Sequence, residues 1–296
     1  MIHSTDAIVV GVDGSDTAKD AARWAAGLAA RLGTSLHIVH AMPTIGHSLT
    51  DTVGAIRMAI MSYQRDWADI IVRAATDAAR ELHPNLVVTT ESTSTPADEA
   101  LIDLARSARM VVIGNSDVSP AGALFLGSAT FAVATHAPCP VVAWRGRHTS
   151  PTSQPIVVGA DGTDSSTVAL ESAFEIADWL EAKVAVVRSL SVPGPVARVL
   201  SQLLIDWDAV EVAEWAHLTE IVDQCNKRYP RVSASCFVEP MKPSVALLNK
   251  VDADGAQLVV VGSRGRNALS SAALGSTAVN LLHHATVPVM ICRGAE

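Results

Sequence analysis

The sequence predicts a two-domain α/β protein in which each domain is built on a parallel sheet. Three observations carry this. Short, apolar, β-branched runs alternate with longer segments of helical period, the pattern of strands joined by crossover helices. The alternation occurs twice, because the second half of the chain repeats the first. The length of 296 residues also suits two domains of about 150 residues each.

The repeat is exact in register. Ile8-Val9-Val10-Gly11-Val12-Asp13-Gly14-Ser15 returns as Ile156-Val157-Val158-Gly159-Ala160-Asp161-Gly162-Thr163, an offset of 156 − 8 = 148. Met110-Val111-Val112-Ile113-Gly114 returns as Leu258-Val259-Val260-Val261-Gly262, Leu126-Gly127-Ser128 as Leu274-Gly275-Ser276, and Cys139-Pro140-Val141-Val142 as Val287-Pro288-Val289-Met290. Trp67 and Trp215, Glu91 and Glu239, and His136 and His284 fall on the same offset. The polar stretch 146–155 contains Pro151 and Pro155, supplies neither a core strand nor a helix interior, and reads as a linker. The expected domains are therefore 1–146 and 155–296.

Strand one of the first copy is expected over 8–12. Helix one follows, with Ala18, Ala21, Ala22, Ala25, Leu28, Ala29 and Leu32 on one face, Ser15 or Asp16 as its N-cap and Gly33 as its stop. Strands follow over 36–40, 86–90, 110–113 and 141–144, with a long helix over 63–82. In the second copy the strands are 156–160, 184–187, 232–238, 258–261 and 289–292, with the long helix over 207–229. The copies differ most over 44–62 and 192–204, which read as flexible segments over the sheet edge.

Composition excludes several functions. With 49% hydrophobic and 18% charged residues the chain is neither disordered nor of low complexity. A net charge of −8 and a pI near 5.6 leave no electrostatic footprint for nucleic acid or an anionic membrane. The segment Met1-Ile2-His3-Ser4-Thr5-Asp6 has neither the basic nor the apolar region of a secretory signal, so a cytoplasmic location is expected. Segments 118–144 and 267–292 carry no Asp, Glu, Lys or Arg, yet Gly-Ser, His and Pro interrupt each, which suits a helix, a turn and a buried strand better than a membrane span. Cys139, Cys225, Cys236 and Cys292 lack metal-ligand spacing and read as reduced core thiols. His37 and His40, three apart on a strand, and the adjacent His283 and His284 diverge in direction and read as core or surface histidines rather than metal ligands. The six tryptophans read as packing.

Two places that could carry chemistry recur in both copies. The first is the end of strand one, where Asp13 and Asp161 put a carboxylate just ahead of a helix. A purely structural role as a helix cap or Asx turn before Ser15 and Thr163 is the alternative. The second follows strand four. In the second copy it reads Gly262-Ser263-Arg264-Gly265-Arg266, then on to Gly275-Ser276-Thr277, with nine residues between Gly265 and Gly275. Glycines admit an anion close to backbone N–H groups, the Gly-Ser pair opens an uncharged helix whose N-terminus favours negative charge, and Arg264 and Arg266 add positive charge. The plainer alternative is that these glycines only end a strand and start a helix. Ligands of open α/β sheets bind beyond the strand C-termini where the strand order reverses, and both places lie at such ends. No P-loop, Rossmann fingerprint, H-E-x-x-H or G-x-S-x-G motif is present.

These residues resemble the universal stress protein family, in tandem, over nearly the whole of each copy. The G-x-x-G, nine residues, G-S pattern of the second copy matches that family's ATP-binding signature. The resemblance implies a five-stranded parallel sheet of order 3-2-1-4-5 in each domain, with ATP and Mg²⁺ at the switch point. It implies that Asp161 meets the adenosine part and that the backbone near Ser189 meets the adenine. Gly262, Ser263, Arg264, Gly265, Gly275, Ser276 and Thr277 would hold the triphosphate, with Arg266 beside them. It further implies an internal pseudo-dimer of the two domains through their fifth strands, with a homodimer as a further possibility. The first copy departs from the pattern, because its loop reads Gly114-Asn115-Ser116-Asp117 before Gly127-Ser128, placing a carboxylate where the second glycine belongs. Asp13, Ala41, Gly114, Gly127 and Ser128 stay in register, so a weaker or absent site is expected there. The expected function is that of an ATP-binding, nucleotide-dependent regulator in stress response or growth control. Slow ATP hydrolysis at the same site and an interaction module with vestigial sites are the alternatives.

Overall fold

The computed structural model describes residues 6–42, 54–115, 127–146, 148–190, 206–265 and 273–294. The chain divides into two compact units, Met1–Pro151 and Thr152–Glu296. In the first, the order is β1 (Ile8–Gly11), α1 (Asp16–Leu32), β2 (Leu36–Ala41), α2 (Gly54–Leu82), β3 (Val88–Thr93), α3 (Ala97–Leu104), β4 (Met110–Gly114), α4 (Ser128–His136) and β5 (Val141–Trp144). In the second it is β6 (Ile156–Gly159), α5 (Asp164–Leu180), β7 (Val184–Ser189), α6 (Trp207–Arg228), β8 (Ala234–Glu239), α7 (Pro243–Asp254), β9 (Leu258–Gly262), α8 (Ser276–His284) and β10 (Val289–Cys292).

Each unit holds five parallel strands in the order 3-2-1-4-5, as the resemblance implies. Ile8 lies opposite Leu36 and Met110, and Ile156 opposite Val184 and Leu258, so even the register repeats. The central strands are apolar on both faces because helices cover both sides, and Ile8, Val10, Leu36, Ile38, Ile156 and Val158 are fully buried. The edge strands β3 and β8 are both half-buried, and β3, which reads Val-Thr-Thr-Glu-Ser-Thr, is polar, which discourages its pairing with another chain.

Local chemistry starts and stops the helices. Ser15 caps α1 by accepting the Ala18 N–H at 3.1 Å, and Thr163 caps α5 through the Ser166 N–H. Gly33 ends α1 in the left-handed region at φ 65°, whereas its counterpart Glu181 takes φ 53° with a side chain, at a cost of roughly 1 kcal/mol. Gln257 anchors the approach to β6. Its buried amide donates to the carbonyls of Thr152 and Gln154 and accepts the Thr152 N–H at 2.7 Å.

Several expectations are corrected. The segment 44–62 is not wholly irregular, since α2 already begins at Gly54; Gly54 is followed by a run without Gly or Pro, which permits a helix well before residue 63. Residues 43–53 and 191–205 lie outside the described residues. β3 and β8 run further toward their C-termini than their apolar patterns suggest, because pairing with β2 and β7, out to Ala41 opposite Thr93 and Ser189 opposite Glu239, sets their length. The short helices α3 and α7 carried too few periods to be seen. Of the tryptophans, Trp24 and Trp144 are buried, while Trp67, Trp179 and Trp215 are about half exposed, so packing accounts for only part of the set. Among the described residues, no helix is long and apolar enough to cross a membrane and no cluster of His, Cys, Asp and Glu could hold a metal ion.

No disulfide joins any of the four cysteines. Burial pushes the Cys139 thiol up to about 12 from 9.0. A raised folded value means that the unfolded chain loses this proton first, so stability present below pH 9 falls as pH rises from 9 towards 12. The second copy carries Val287 at the matching position. Cys139→Val should flatten this part of the alkaline stability curve, measured by denaturant unfolding between pH 8 and pH 11. A slope that is unchanged in the variant would assign it to other groups.

Candidate functional site

In each unit β1 and β4, or β6 and β9, are neighbours whose connections leave in opposite directions, and a cleft opens at their C-terminal ends. The cleft of the second unit opens to solvent and spans about 580 Å³ with that open space included. Its walls include Asp161 and Ser166 from the β6 to α5 turn, Ser189 from β7, Leu247 from α7, Arg264 and Gly265 after β9, and Gly275 and Thr277 at the start of α8.

The turn that carries Asp161 is tightly fixed. Its Oδ1 accepts the Thr163 N–H at 3.0 Å and the Thr163 hydroxyl at 2.6 Å, an Asx turn that coexists with its place in the cleft wall. Ser166 Oγ accepts the Gly162 N–H at 3.1 Å and donates to Thr163 O at 2.9 Å. Arg188 reaches in from β7. Its Nη1 donates to Ala160 O at 3.1 Å and its Nε to Glu214 Oε2 on α6 at 2.8 Å, with Nη2 2.7 Å from the same oxygen as an ion pair, so the peptide before Asp161 is tied to a pair whose guanidinium is buried. In the first unit the matching residue is His40, whose Nδ1 lies 2.8 Å from Val12 O.

The glycines play different parts. A Cβ on Gly262 would stand 2.5 Å from Ser165 Oγ and 2.9 Å from the α5 backbone, and one on Gly114 would stand 3.0 to 3.1 Å from the backbone of Thr17 and Ala18. These two let the first helix cross close over strand four. Gly265 instead faces Asp161, whose Oδ2 would lie 3.3 Å from an added Cβ, and Gly275 faces the backbone of the Gly265 loop at 3.4 Å. Gly275 N donates to Ser263 O at 2.8 Å, and Ser165 Oγ to Arg264 O at 3.0 Å, so loop, α5 and the start of α8 are laced together.

The sequence matches one family model twice, that of the universal stress protein family, over residues 5–145 and 152–293. The chain belongs to the universal stress protein family. A universal stress protein of Mycolicibacterium smegmatis is 30% identical, over 97% of this chain and 96% of that one. One of Mycobacterium tuberculosis is also 30% identical, with the same shares covered. The crystal structure of a universal stress protein from Archaeoglobus fulgidus aligns with a TM-score of 0.71 at 14% identity over 99% of this chain and 98% of that one, a likeness of fold.

Within this universal stress protein the expected site residues fall as follows. Asp161, Ser189, Gly262, Arg264, Gly265, Gly275 and Thr277 line the second cleft; Ser263 is buried in the loop beneath it, Ser276 is exposed at the α8 start, and Arg266 lies outside the described residues. Asp13, Ala41, Gly114, Gly127 and Ser128 all line the cleft of the first unit, while Asp117 lies outside the described residues. Sequence reading missed Ser166, Leu247 and Arg188. The Thr163-Asp164-Ser165-Ser166 run was the available signal for the first, since hydroxyls at a helix start serve loop as well as cap. His37 and His40 are buried, bonding Thr89 and Val12 respectively, as core histidines do.

Proposed function

We propose that the second domain binds ATP together with Mg²⁺, and that the protein acts as a nucleotide-dependent regulator. The observation that carries this reading is the meeting of Asp161 and Gly265 in one cleft with Arg264: a carboxylate for hydroxyl donors stands beside a side-chain-free loop and a guanidinium suited to phosphate. The residues present fit such a ligand. The buried Ser263 hydroxyl has no hydrogen-bond partner among the described residues, and no side chain caps the α8 N-terminus at Gly275, so donors remain for an anion. Bound Mg²⁺ would offset phosphate charge. Asp161 would accept from the ribose hydroxyls, Arg264 and the loop N–H groups would hold phosphate oxygens, and the apolar wall of Val187 and Leu247 would receive the base. In the regulatory reading, the occupied cleft differs from the empty one in the ordering of its loops, which a partner protein reads.

The test is to purify the chain natively, denature it, and count the released nucleotide by chromatography, adding ATP and Mg²⁺ if none copurifies. About one ATP per chain is expected. No nucleotide either copurified or bound would overturn the proposal, and mostly ADP would point to slow hydrolysis at the same cleft.

A further inference from the structure

We propose that the outer face of α2 in the first domain is a self-association surface, on which a second copy of this chain lays its own α2 antiparallel across a two-fold axis. The surface stands apart from nucleotide binding by the second domain. Tyr63, Trp67, Ile70 and Ala74 recur at spacings of four, three and four, which puts them on one stripe of the helix in the pattern of a helix–helix seam. All four are exposed, Tyr63 at 67%, Trp67 at 52% and Ile70 at 54%, while Ala68, Ile71, Ala75 and Ala78 turn the other way into the core. Two aromatics and an isoleucine in one line form a patch, whereas ordinary surfaces scatter such residues singly.

The stripe complements itself in shape and in charge. With two copies of α2 antiparallel about a point between Ala68 and Asp69, Trp67 meets Ile70 of the partner subunit and Tyr63 meets Ala74 of the partner subunit, a bulky side chain over a small one. Asp66 and Arg73 flank the stripe on its solvent side, seven residues apart. The same register sets Asp66 beside Arg73 of the partner subunit, and the two-fold repeats that pair. Both side chains are exposed, and neither forms an ion pair with another described residue, so the domain leaves them to a partner. Charge also selects the register. Sliding the pair by one heptad sets Asp66 against Asp66 of the partner subunit in one direction and Arg73 against Arg73 of the partner subunit in the other. A parallel pair would bring Asp66 to the buried Ile71 and use neither charge.

The second domain shows that the shared architecture does not demand this stripe. Its matching residues on α6 are Glu211, Trp215, Leu218 and Val222, of which Leu218 and Val222 are buried, and Glu214 and Ile221 replace the flanking charges. α6 exposes Val212 and Trp215, but every Asp, Glu, Lys or Arg from 207 to 224 is acidic, so a second copy of that face would be repelled. One helical stripe is a small interface, of the size below about 1,200 Å² that accompanies transient association, so a dissociation constant on the order of 10–100 μM is expected.

Sedimentation velocity of the full chain at low ionic strength, from about 1 μM to about 500 μM, should show monomer passing to dimer. Ile70→Lys should weaken the dimer at least about tenfold with the melting temperature held, since Ile70 is exposed, and Val212→Lys on α6 should leave it unchanged. Asp66→Arg and Arg73→Asp each create two like-charged pairs and should each weaken it about tenfold or more. An equimolar mixture of those two variants should dimerise about as well as wild type, because each then offers the charges that the other needs, a rescue that no folding defect produces. A chain monomeric at every concentration, a dimer indifferent to Ile70→Lys and both charge reversals, or a mixture no tighter than its separate components would each overturn the proposal. Loss of the dimer in Val212→Lys would move the interface to α6 and overturn it as well.

Discussion

Gly265→Asp should weaken nucleotide binding at least about 30-fold and leave the fold intact. Gly265 is not in the left-handed region, and the one atom close to an added Cβ is Asp161 Oδ2 at 3.3 Å, so the backbone accepts a side chain. The effect is electrostatic. Two unit charges about 4 Å apart repel by about 4 kcal/mol near a protein surface; half of that, after screening, is roughly 2 kcal/mol or about 30-fold in affinity. The new carboxylate also opposes the incoming phosphates directly. Gly265→Asn supplies the same bulk without the charge and should cost far less. Affinities measured for the three proteins, with thermal melting alongside, decide the matter: equal losses for Asp and Asn would make the effect steric, and no loss for Asp would remove Gly265 from the site.

Glu214→Ala should destabilise the second domain by about 3 kcal/mol, lowering its melting temperature by roughly 6–12 °C. The Arg188 side chain is 4% exposed, donates through Nε to Glu214 and through Nη1 to Ala160 O, and stands in ion-pair contact with Glu214 through Nη2. Removing the carboxylate leaves a buried charge without its counter-ion, which costs far more than the net worth of the pair. The double replacement Arg188→Met with Glu214→Leu should therefore be much less harmful than the sum of its parts, with a coupling energy of about 2 kcal/mol in a double-mutant cycle. Additive losses would mean that the pair is solvated in solution. Because Arg188 holds the carbonyl before Asp161, both single variants should also weaken ligand binding at the second cleft.

How far the site was legible depended on whether its residues lie close in sequence or recur by repeat. Asp13 and Asp161 could be found because each follows an apolar strand and precedes a cap, and the repeat itself marked both. Gly262 and Gly265 could not be told apart. Both sit in the same four-residue motif, yet one clears the path of α5 and the other faces a carboxylate more than a hundred positions away. Arg188, just past the strand expected over 184–187, carried no sequence signal, since its partners Ala160 and Glu214 are remote in the chain.

The sequence by itself determined the tandem repeat, the parallel α/β class, all ten strand starts to within two residues, and the difference in charge between the two glycine loops, because periodicity, β-branched runs and caps act over a few residues. Only the tertiary structure decided which glycine serves packing and which the cleft, how far the edge strands extend, and which hydroxyls line each cleft. Those properties depend on distances between segments far apart in the chain, and such distances exist only once strands one and four lie side by side.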